Sequence, residues 1–162
     1  MKYLKKLFWL VLIVFVVVQF FRPEKNISLD AEAHHISQKF SVPEDVRQIL
    51  STSCYDCHSN NTRYPWYYSV QPVAWWLRNH VTEAKQHLNF DEFASYRLRK
   101  QYHEFEEIIE MIDENEMPLP SYTLIHRNAA LSQEQKERII AWSNLCMEVM
   151  KMTYPADSLL KK

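Results

Sequence analysis

The sequence predicts a small all-α protein, and three features support that fold class. The 162 residues include no glycine, so the chain lacks the residue that most tight β-hairpin turns need for a positive φ angle. Long stretches rich in Leu, Ile, Glu, Lys and Gln place apolar residues three or four apart, as on one face of a helix. Seven prolines fall largely between those stretches. We therefore expect about four helices joined by long, proline-rich loops.

The N-terminal segment is predicted to be a transmembrane helix outside the folded domain. Lysines within residues 2–6 precede an apolar run from Leu7 to Phe21, the order found in export signals and membrane anchors. An interfacial helix is the alternative, but the run has no polar face.

The same segment predicts where the domain lies and how the chain is divided. The nearest small-residue cleavage pattern, at residues 31–33, is too far downstream, so the helix should remain as a single-pass anchor in the cytoplasmic membrane. The basic end stays inside, which places the rest on the periplasmic side. We expect an anchor over residues 1–21, a polar tether over 22–40, a domain over 41–152 and a tail over 153–162.

The first two helices of the domain flank a pair of cysteines. In SVPEDVRQIL, Ser41 is the predicted N-cap and Glu44 follows three residues later, as in a capping box. This short helix leads directly to the cysteines. A second helix is predicted over residues 72–88, where apolar positions including Trp76 form one stripe.

Two longer helices complete the domain. The third is predicted over residues 91–112, where apolar residues recur at helical spacing among many charges. The fourth begins after Ser132, which forms a capping-box pair with Gln135. Its inward stripe is predicted to contain Ile139, Trp142, Leu145, Cys146 and Val149.

The charge balance disfavours nucleic acid as a partner. The chain has 19 basic and 20 acidic residues, and residues 1–25 hold five of the basic ones but only one acidic one. The remainder therefore carries 14 basic and 19 acidic residues, a net charge near −5. Nucleic-acid binding depends on basic residues that neutralise phosphates. The expected partners are redox proteins in the periplasm or membrane, and the membrane itself through the N-terminal helix.

The segment SCYDCHSN contains the motif C-x-x-C-H, at Cys54, Cys57 and His58. This motif is the attachment signal for c-type haem. Two thiols at this spacing add to the vinyl groups of one porphyrin, and the histidine lies under the iron as its proximal ligand. A small domain keeps its cofactor in this way without enclosing it fully. We therefore predict one covalently attached haem c with its iron.

Paired cysteines have three other common uses. Structural zinc needs four protein ligands, but no second pair follows and the remaining cysteine, Cys146, is far downstream. A thioredoxin-like redox pair expects a βαβ context, which a helical chain does not supply. A plain disulfide leaves His58 without a role. Zinc is therefore not expected.

The second axial ligand of the iron is predicted from the segment EMPLPSY. Met117 precedes a proline, and Pro118 and Pro120 stiffen the loop, so that holding the thioether in place costs little entropy. A methionine that only fills a gap in the core is one alternative. Ligation by a second histidine is another, and the candidates are His80, on the apolar stripe of the second helix, and then His87, His103 and His126.

Residues near both segments are candidates for the walls of a haem pocket. The stretch NNTRYPWYYSVQP directly follows His58. Its aromatic rings could pack against the porphyrin and its arginine could pair with a propionate. The alternative is a proline-shaped loop that only packs its aromatic rings onto the helices. The candidate pocket residues are Arg63, Tyr64, Trp66, Trp76 and Tyr122.

Four segments together resemble a known family. CYDCHSNNTRYPWYYSVQPVAWWLRNHV, HLNFDEF, MPLPSYTLIHRNAALS and IIAWSN, in this order, resemble the small bacterial haem-binding domain family found in anchored, exported proteins. The resemblance covers approximately residues 40–145. It implies covalent haem on Cys54 and Cys57 with His58 as axial ligand, and it makes the M-P element at Met117 part of the module.

Likeness to ordinary monohaem cytochromes c is looser, although it too implies a small cytochrome c-like helical domain. Those cytochromes use glycine where their terminal helices cross, and this chain has none.

The predicted function is one-electron transfer by an iron that keeps the same two ligands in both oxidation states. No catalytic array of Ser, His and Asp and no phosphate-binding loop is evident in the sequence. One alternative is a peroxidase-like enzyme, or a gas or redox sensor, whose sixth position is open or held by histidine. The other is an interaction module in which the motif only binds metal.

Overall fold

The computed structural model describes residues 2–29 and 33–160, and every regular element within these ranges is helical. The predicted all-α class is confirmed for the part of the chain described. Four short 3₁₀ turns, at Ile36–Gln38, Trp66–Ser69, Phe93–Ser95 and Arg127–Ala129, lie between the α-helices. The α-helices are α1 (Lys2–Val18), α2 (Glu44–Ser53), α3 (Tyr55–His58), α4 (Val73–His87), α5 (Leu98–Asp113), α6 (Pro120–Thr123), α7 (Gln133–Thr153) and α8 (Ala156–Leu159).

The predicted transmembrane helix is wrong. Helix α1 has 17 residues and begins with a lysine-containing turn. At 1.5 Å per residue it is about 26 Å long, shorter than a hydrocarbon core of about 30 Å. Across residues 2–29 and 33–160, none of the helices has both the length and the apolar character needed to cross a bilayer. The predicted single-pass anchor, and the periplasmic placement that depended on it, are therefore contradicted. The small-residue pattern at residues 31–33, which lies too far downstream for cleavage, is largely outside the described residues.

Helix α2 starts later than predicted. Its N-cap is Pro43, in an extended conformation, and the first turn carries Glu44 and Asp45, whose charges suit a helix N-terminus. The predicted cap, Ser41, lies before the helix, where its carbonyl oxygen accepts a hydrogen bond of 3.0 Å from Nε1 of Trp142. Tertiary contact rather than capping explains the position of Ser41.

The third predicted helix is split. A 3₁₀ turn covers Phe93–Ser95, and α5 begins only at Leu98, after Tyr96 and Arg97 adopt extended conformations. In this extended break the Tyr96 carbonyl accepts a hydrogen bond of 2.7 Å from the side-chain Nε2 of Gln101. A polar side chain of α5 therefore stabilises the break, and residue spacing alone does not reveal such an interaction.

Helix α7 is confirmed with its capping box. The Gln135 amide donates a hydrogen bond to the Ser132 hydroxyl, and the Ser132 amide donates one to the side-chain oxygen of Gln135. Its inward stripe is partly wrong. Leu145 is 57% exposed and Val149 44% exposed, whereas Met147 and Met150 are buried.

Helices α5 and α7 pack against each other to form the main core. Phe105 is fully buried at its centre, and its ring makes edge-on contacts with Phe40 at 5.0 Å and Trp142 at 5.7 Å between centroids. Phe90 and Phe93, from the segment before α5, are buried in the same core. This core therefore extends to the chain segment that follows α4.

Residues 19–28, here called the N-terminal strap, leave α1 through a turn and then lie against the domain without regular secondary structure. The carbonyl oxygen of Phe21 accepts hydrogen bonds from Nε2 of Gln71 at 2.8 Å and Nε1 of Trp75 at 3.0 Å. The Tyr68 hydroxyl donates to the carbonyl of Pro23 at 3.1 Å. The strap is thus joined to the domain by hydrogen bonds, many of them to its backbone.

One acidic side chain is buried in α5. Glu104 is 4% exposed, and its carboxylate lies 3.7 Å from the Lys100 ammonium. Burial raises the pKa of Glu104 to about 7, and Lys100 opposes this shift only in part. The folded protein therefore holds this proton more tightly than the unfolded chain does.

Glu104→Gln should remove a pH-dependent loss of stability. The stabilising contribution of Glu104 is complete below about pH 4.5 and is lost as the pH rises through about 7. The wild-type free energy of unfolding should therefore fall by roughly 2–3 kcal/mol across that window, relative to the variant. Urea unfolding at several pH values measures this difference. Glu110→Gln, at an exposed position of the same helix, is the matched control, and a difference independent of pH would contradict the prediction.

Candidate haem site

The C-x-x-C-H motif forms a single helical turn at the end of α2. Helix α2 runs up to Ser53, and Cys54 connects it to α3. The carbonyl oxygen of Cys54 accepts hydrogen bonds from the amides of Cys57 at 3.1 Å and His58 at 2.9 Å. Backbone hydrogen bonds alone therefore hold the motif in a helical turn.

Both thiols of the motif are free and half-buried. Burial, together with the neighbouring Cys57, raises the pKa of the Cys54 thiol to about 12. Burial and the nearby Asp56 raise the pKa of the Cys57 thiol to about 11. Both sulfurs are therefore protonated at neutral pH. No three His, Cys, Asp or Glu side chains within residues 2–29 and 33–160 are grouped as ligands of one metal ion.

The imidazole of His58 is oriented by the backbone at the end of α4. Its Nδ1 lies 2.9 Å from the carbonyl oxygen of Leu88. A carbonyl can only accept, so this contact places the hydrogen on Nδ1 and leaves the lone pair on Nε2. Burial lowers the pKa of His58, which favours the neutral ring. This tautomer leaves the lone pair of Nε2 for a metal ion, and the His58 ring borders neither of the cavities beside the motif.

Two adjoining cavities lie beside the motif. The larger, of about 300 Å³, is bordered by Thr52, Asp56, Arg63, Tyr122 and His126. The smaller, of about 10 Å³, adds Cys57, the aromatic ring of Tyr67, and Leu77 and Val81 from α4. The Cys57 side therefore faces a mixed wall of aromatic, aliphatic and polar groups.

Asp56, inside the motif, connects three parts of the chain. One carboxylate oxygen accepts a hydrogen bond from Nε of Arg63 at 2.9 Å, and the other accepts from the Tyr122 hydroxyl at 2.8 Å. Tyr122 belongs to α6, and its hydrogen bond brings the segment after Met117 onto the motif. Sequence analysis missed Asp56, although an acid between the two cysteines and an arginine seven residues later was an available signal.

The predicted pocket residues lie in different environments. Arg63 and Tyr122 border the cavities, as described. Tyr64 borders the larger cavity, and its ring packs on Tyr68 with 4.1 Å between centroids. Trp66 is 82% exposed, and Trp76 is 46% exposed and packs at a tilt against His80, with 4.3 Å between ring centroids. Neither of these two tryptophans borders the cavities beside Cys57.

Met117 follows a sharp turn at the end of α5. Asn115 has a φ of 63°, a left-handed conformation that glycine commonly supplies and asparagine tolerates. The amide of Met117 then donates to the carbonyl of Met111 at 3.1 Å. The side chain is half-buried against the main core, as are Cys54 and Tyr55. Met117 does not border either cavity.

The four histidines that compete with Met117 as the second axial ligand differ in their distance from the cavities. His126 borders both cavities, its Nε2 lies 2.7 Å from the Tyr67 hydroxyl, and its ring stacks on Tyr122 at 4.4 Å. His80, the leading alternative from sequence, bonds through Nδ1 to its own helix at Trp76. His87 and His103 are exposed. Among the four, His126 is the histidine that borders the cavities beside Cys57.

Family comparison establishes what kind of protein this is. A model of the haem-binding domain family matches residues 13–144. The chain therefore belongs to the haem-binding domain family, and it is a haem-binding protein. Searches of curated proteins and of solved structures find no significant match. The family match includes the N-terminal strap, whereas the resemblance noted from sequence began near residue 40.

Tyr122→Phe should weaken the contact between α6 and the motif. The change removes the hydroxyl that donates to Asp56 but keeps the ring that stacks on His126. We expect a loss of about 1.5–3 kcal/mol in the free energy of unfolding, as for hydrogen bonds to charged groups. Urea unfolding measures this loss, with Tyr3→Phe, at a position 85% exposed, as the control. Equal stability of the two variants would contradict the prediction.

Proposed function

We propose that this protein is a one-electron carrier with a single haem c, attached through Cys54 and Cys57 and ligated by His58 and Met117. The observation that carries the proposal is the orientation of His58. Its Nδ1 is occupied by the Leu88 carbonyl at 2.9 Å, so Nε2 is the nitrogen available to an iron. The expected partners are other redox proteins, which give or take the electron.

The side chains around the motif fit a haem. Two reduced thiols flank the turn that carries a neutral imidazole, which is the donor set that c-type attachment needs. The adjoining wall offers the flat rings of Tyr67 and Tyr122 and the aliphatic side chains of Leu77 and Val81. Rings and aliphatic groups suit the faces of a porphyrin, and the free thiols suit its vinyl edge.

Each protein group has a separate task. The thiols of Cys54 and Cys57 would each add across one vinyl group, so that sulfur bonds to carbon, the thiol hydrogen moves to the neighbouring carbon, and no external oxidant is needed. His58 would bind the iron through Nε2 while Leu88 keeps its ring from rotating. The bound haem would supply the exchange of one electron between the ferric and ferrous states.

Met117 is the proposed distal ligand because of its position in the chain and in the core. It packs against the same core as Cys54, and Tyr122, five residues later, bonds to Asp56 within the motif. A thioether ligand raises the reduction potential of a haem relative to a second histidine. Ligands that stay bound in both oxidation states would suit a carrier, because little reorganisation accompanies electron transfer.

A second candidate function is a haem enzyme or sensor whose sixth position is open or held by histidine. The observation that favours it is the position of His126, which borders both cavities beside the motif, whereas Met117 borders neither. A polar imidazole and the Tyr67 hydroxyl near a vacant iron position could orient a small ligand. This candidate makes a different spectroscopic prediction from the carrier.

Covalent attachment predicts haem that survives denaturation. After co-expression with a haem-attachment system, the wild type should keep haem stain on a denaturing gel. Cys54→Ala and Cys57→Ala should each keep less, and the double variant should keep none. Cys146→Ala is the matched control. The third cysteine is buried in α7, away from the motif, so this variant should retain full staining. An unstained wild type, or a stained double variant, would contradict c-type attachment.

Ligation by Met117 predicts a specific optical signature. The ferric wild type should be low-spin with a sulfur-to-iron charge-transfer band, and Met117→Ala should lose that band completely and shift the reduction potential downward. Met152→Ala, at a methionine 80% exposed, should change neither property. A high-spin ferric wild type, or a sixth ligand lost only in His126→Ala, would favour the enzyme or sensor instead.

A further inference from the structure

Asn26, in the N-terminal strap, is bonded through every polar atom it has. Its backbone amide donates to the Tyr64 hydroxyl at 2.6 Å, and its carbonyl accepts from the Thr62 amide at 3.0 Å. Its side-chain Nδ2 donates to the carbonyl of Ser59 at 2.8 Å and to Oγ1 of Thr62 at 3.0 Å. Its Oδ1 accepts from Nζ of Lys85 at 2.6 Å. One residue outside the predicted domain is therefore the centre of a closed hydrogen-bond network.

The partners of Asn26 lie in the segment that follows the haem motif, residues 59–64, and in α4. Ser59 is the residue directly after His58. Thr62 donates through Oγ1 to the carbonyl of Asp56 at 2.7 Å, so the network reaches the residue between the two cysteines. Lys85 belongs to the last turn of α4, whose C-cap is Leu88. The side chain of Asn26 thus connects the loop after His58 to the helix whose C-cap supplies the carbonyl that orients the His58 ring.

The opposite side of this loop is already anchored to the main core. The Phe90 amide donates to the carbonyl of His58 at 2.8 Å, and the Asn60 amide donates to a carboxylate oxygen of Asp91 at 2.7 Å. On the strap side, the Ser28 amide donates to Oδ1 of Asn61 at 3.0 Å, and the Asn26 side chain adds the bonds that join the loop to α4. A residue that restrains both His58 and its carbonyl partner can set the angle of the ring.

We propose that Asn26 is a positioning residue for the haem ligand His58. It fixes the loop over residues 59–62 against α4 and thereby holds the imidazole at one orientation. The proposal rests on the proposed ligation by His58. It assigns a task in the haem site to the strap, a segment that sequence analysis placed outside the domain.

The test compares three strap variants of the full-length protein with haem attached. Asn26→Ala removes the side-chain bonds, and Asn26→Asp keeps an acceptor for Lys85 but places a carboxylate against the Ser59 carbonyl. Both should change the g-values of the ferric protein in electron paramagnetic resonance and shift its reduction potential, because the g-values report the orientation of axial ligands. Ile27→Ala, at an adjacent position 62% exposed, should match the wild type.

Hydrogen–deuterium exchange gives a readout that does not depend on haem. In both Asn26 variants, amides of residues 58–62 should exchange about 10-fold faster than in the wild type, as expected when local hydrogen bonds worth roughly 1.4 kcal/mol are lost. Lys85→Met breaks the bond between Asn26 and α4 and also removes a charge near Asp91 and Glu92. It should produce a change of the same kind, and it replaces Asn26→Ala if that variant does not fold.

The outcomes separate this proposal from the proposed function. A lower unfolding midpoint with unchanged g-values, potential and local exchange would overturn the positioning role and leave Asn26 as a merely structural residue. An absence of covalent haem in the wild type would overturn the proposed function, and exchange in residues 58–62 would still decide whether Asn26 holds the loop. Faster exchange together with altered g-values in the Asn26 variants supports the positioning role.

Discussion

The hydrogen bond between Nδ1 of His58 and the carbonyl of Leu88 is the interaction on which the rest of the site depends. It joins the motif, at the end of α2, to the end of α4, thirty residues later. The Phe90 amide also donates to the His58 carbonyl, and Phe90 is buried in the main core, so the motif is tied to that core as well. Because burial favours the neutral imidazole and Nδ1 lies against a carbonyl oxygen, Nε2 is the nitrogen of His58 that would bind the iron in the proposed site.

The lack of glycine determines how the second half of the site is built. A left-handed turn is needed where α5 ends, and Asn115 adopts it. That turn directs the chain toward Met117, after which Pro120 starts α6 and Tyr122 reaches Asp56. The distal segment is therefore placed by one asparagine turn and one hydrogen bond between side chains. Met117 and His126, the two candidates for the proposed sixth ligand, lie on opposite sides of Tyr122 in sequence, so one short segment contains both.

The N-terminal strap changes what counts as the functional module. Its polarity and its place after an apolar run indicated a tether, whereas in the structure its backbone and Asn26 bond to residues around the motif. The family match over residues 13–144 includes the same segment. Backbone hydrogen bonds are available to any sequence, so a segment that docks mainly through them leaves little trace in hydrophobic pattern. The haem-binding module is accordingly longer than the cysteine motif and its helices suggest.

The sequence by itself determined the all-α class, the capping box of α7 and the membership of the haem-binding family, because each depends on local patterns or on ordered motifs. It did not determine the start of α5, where a Gln101 hydrogen bond stabilises an extended break, or the exposure of Leu145 and Val149, which depends on where α5 lies. It also overstated the apolar N-terminal run as a membrane span, because the helix that forms ends at Val18, before the apolar run ends at Phe21. Only the tertiary structure decided that Leu88 orients His58, that His126 rather than His80 faces the cavities, and that Asn26 closes the loop after the motif. Each of these is a contact between residues about 30 or more positions apart, and such contacts are set by packing rather than by spacing along the chain.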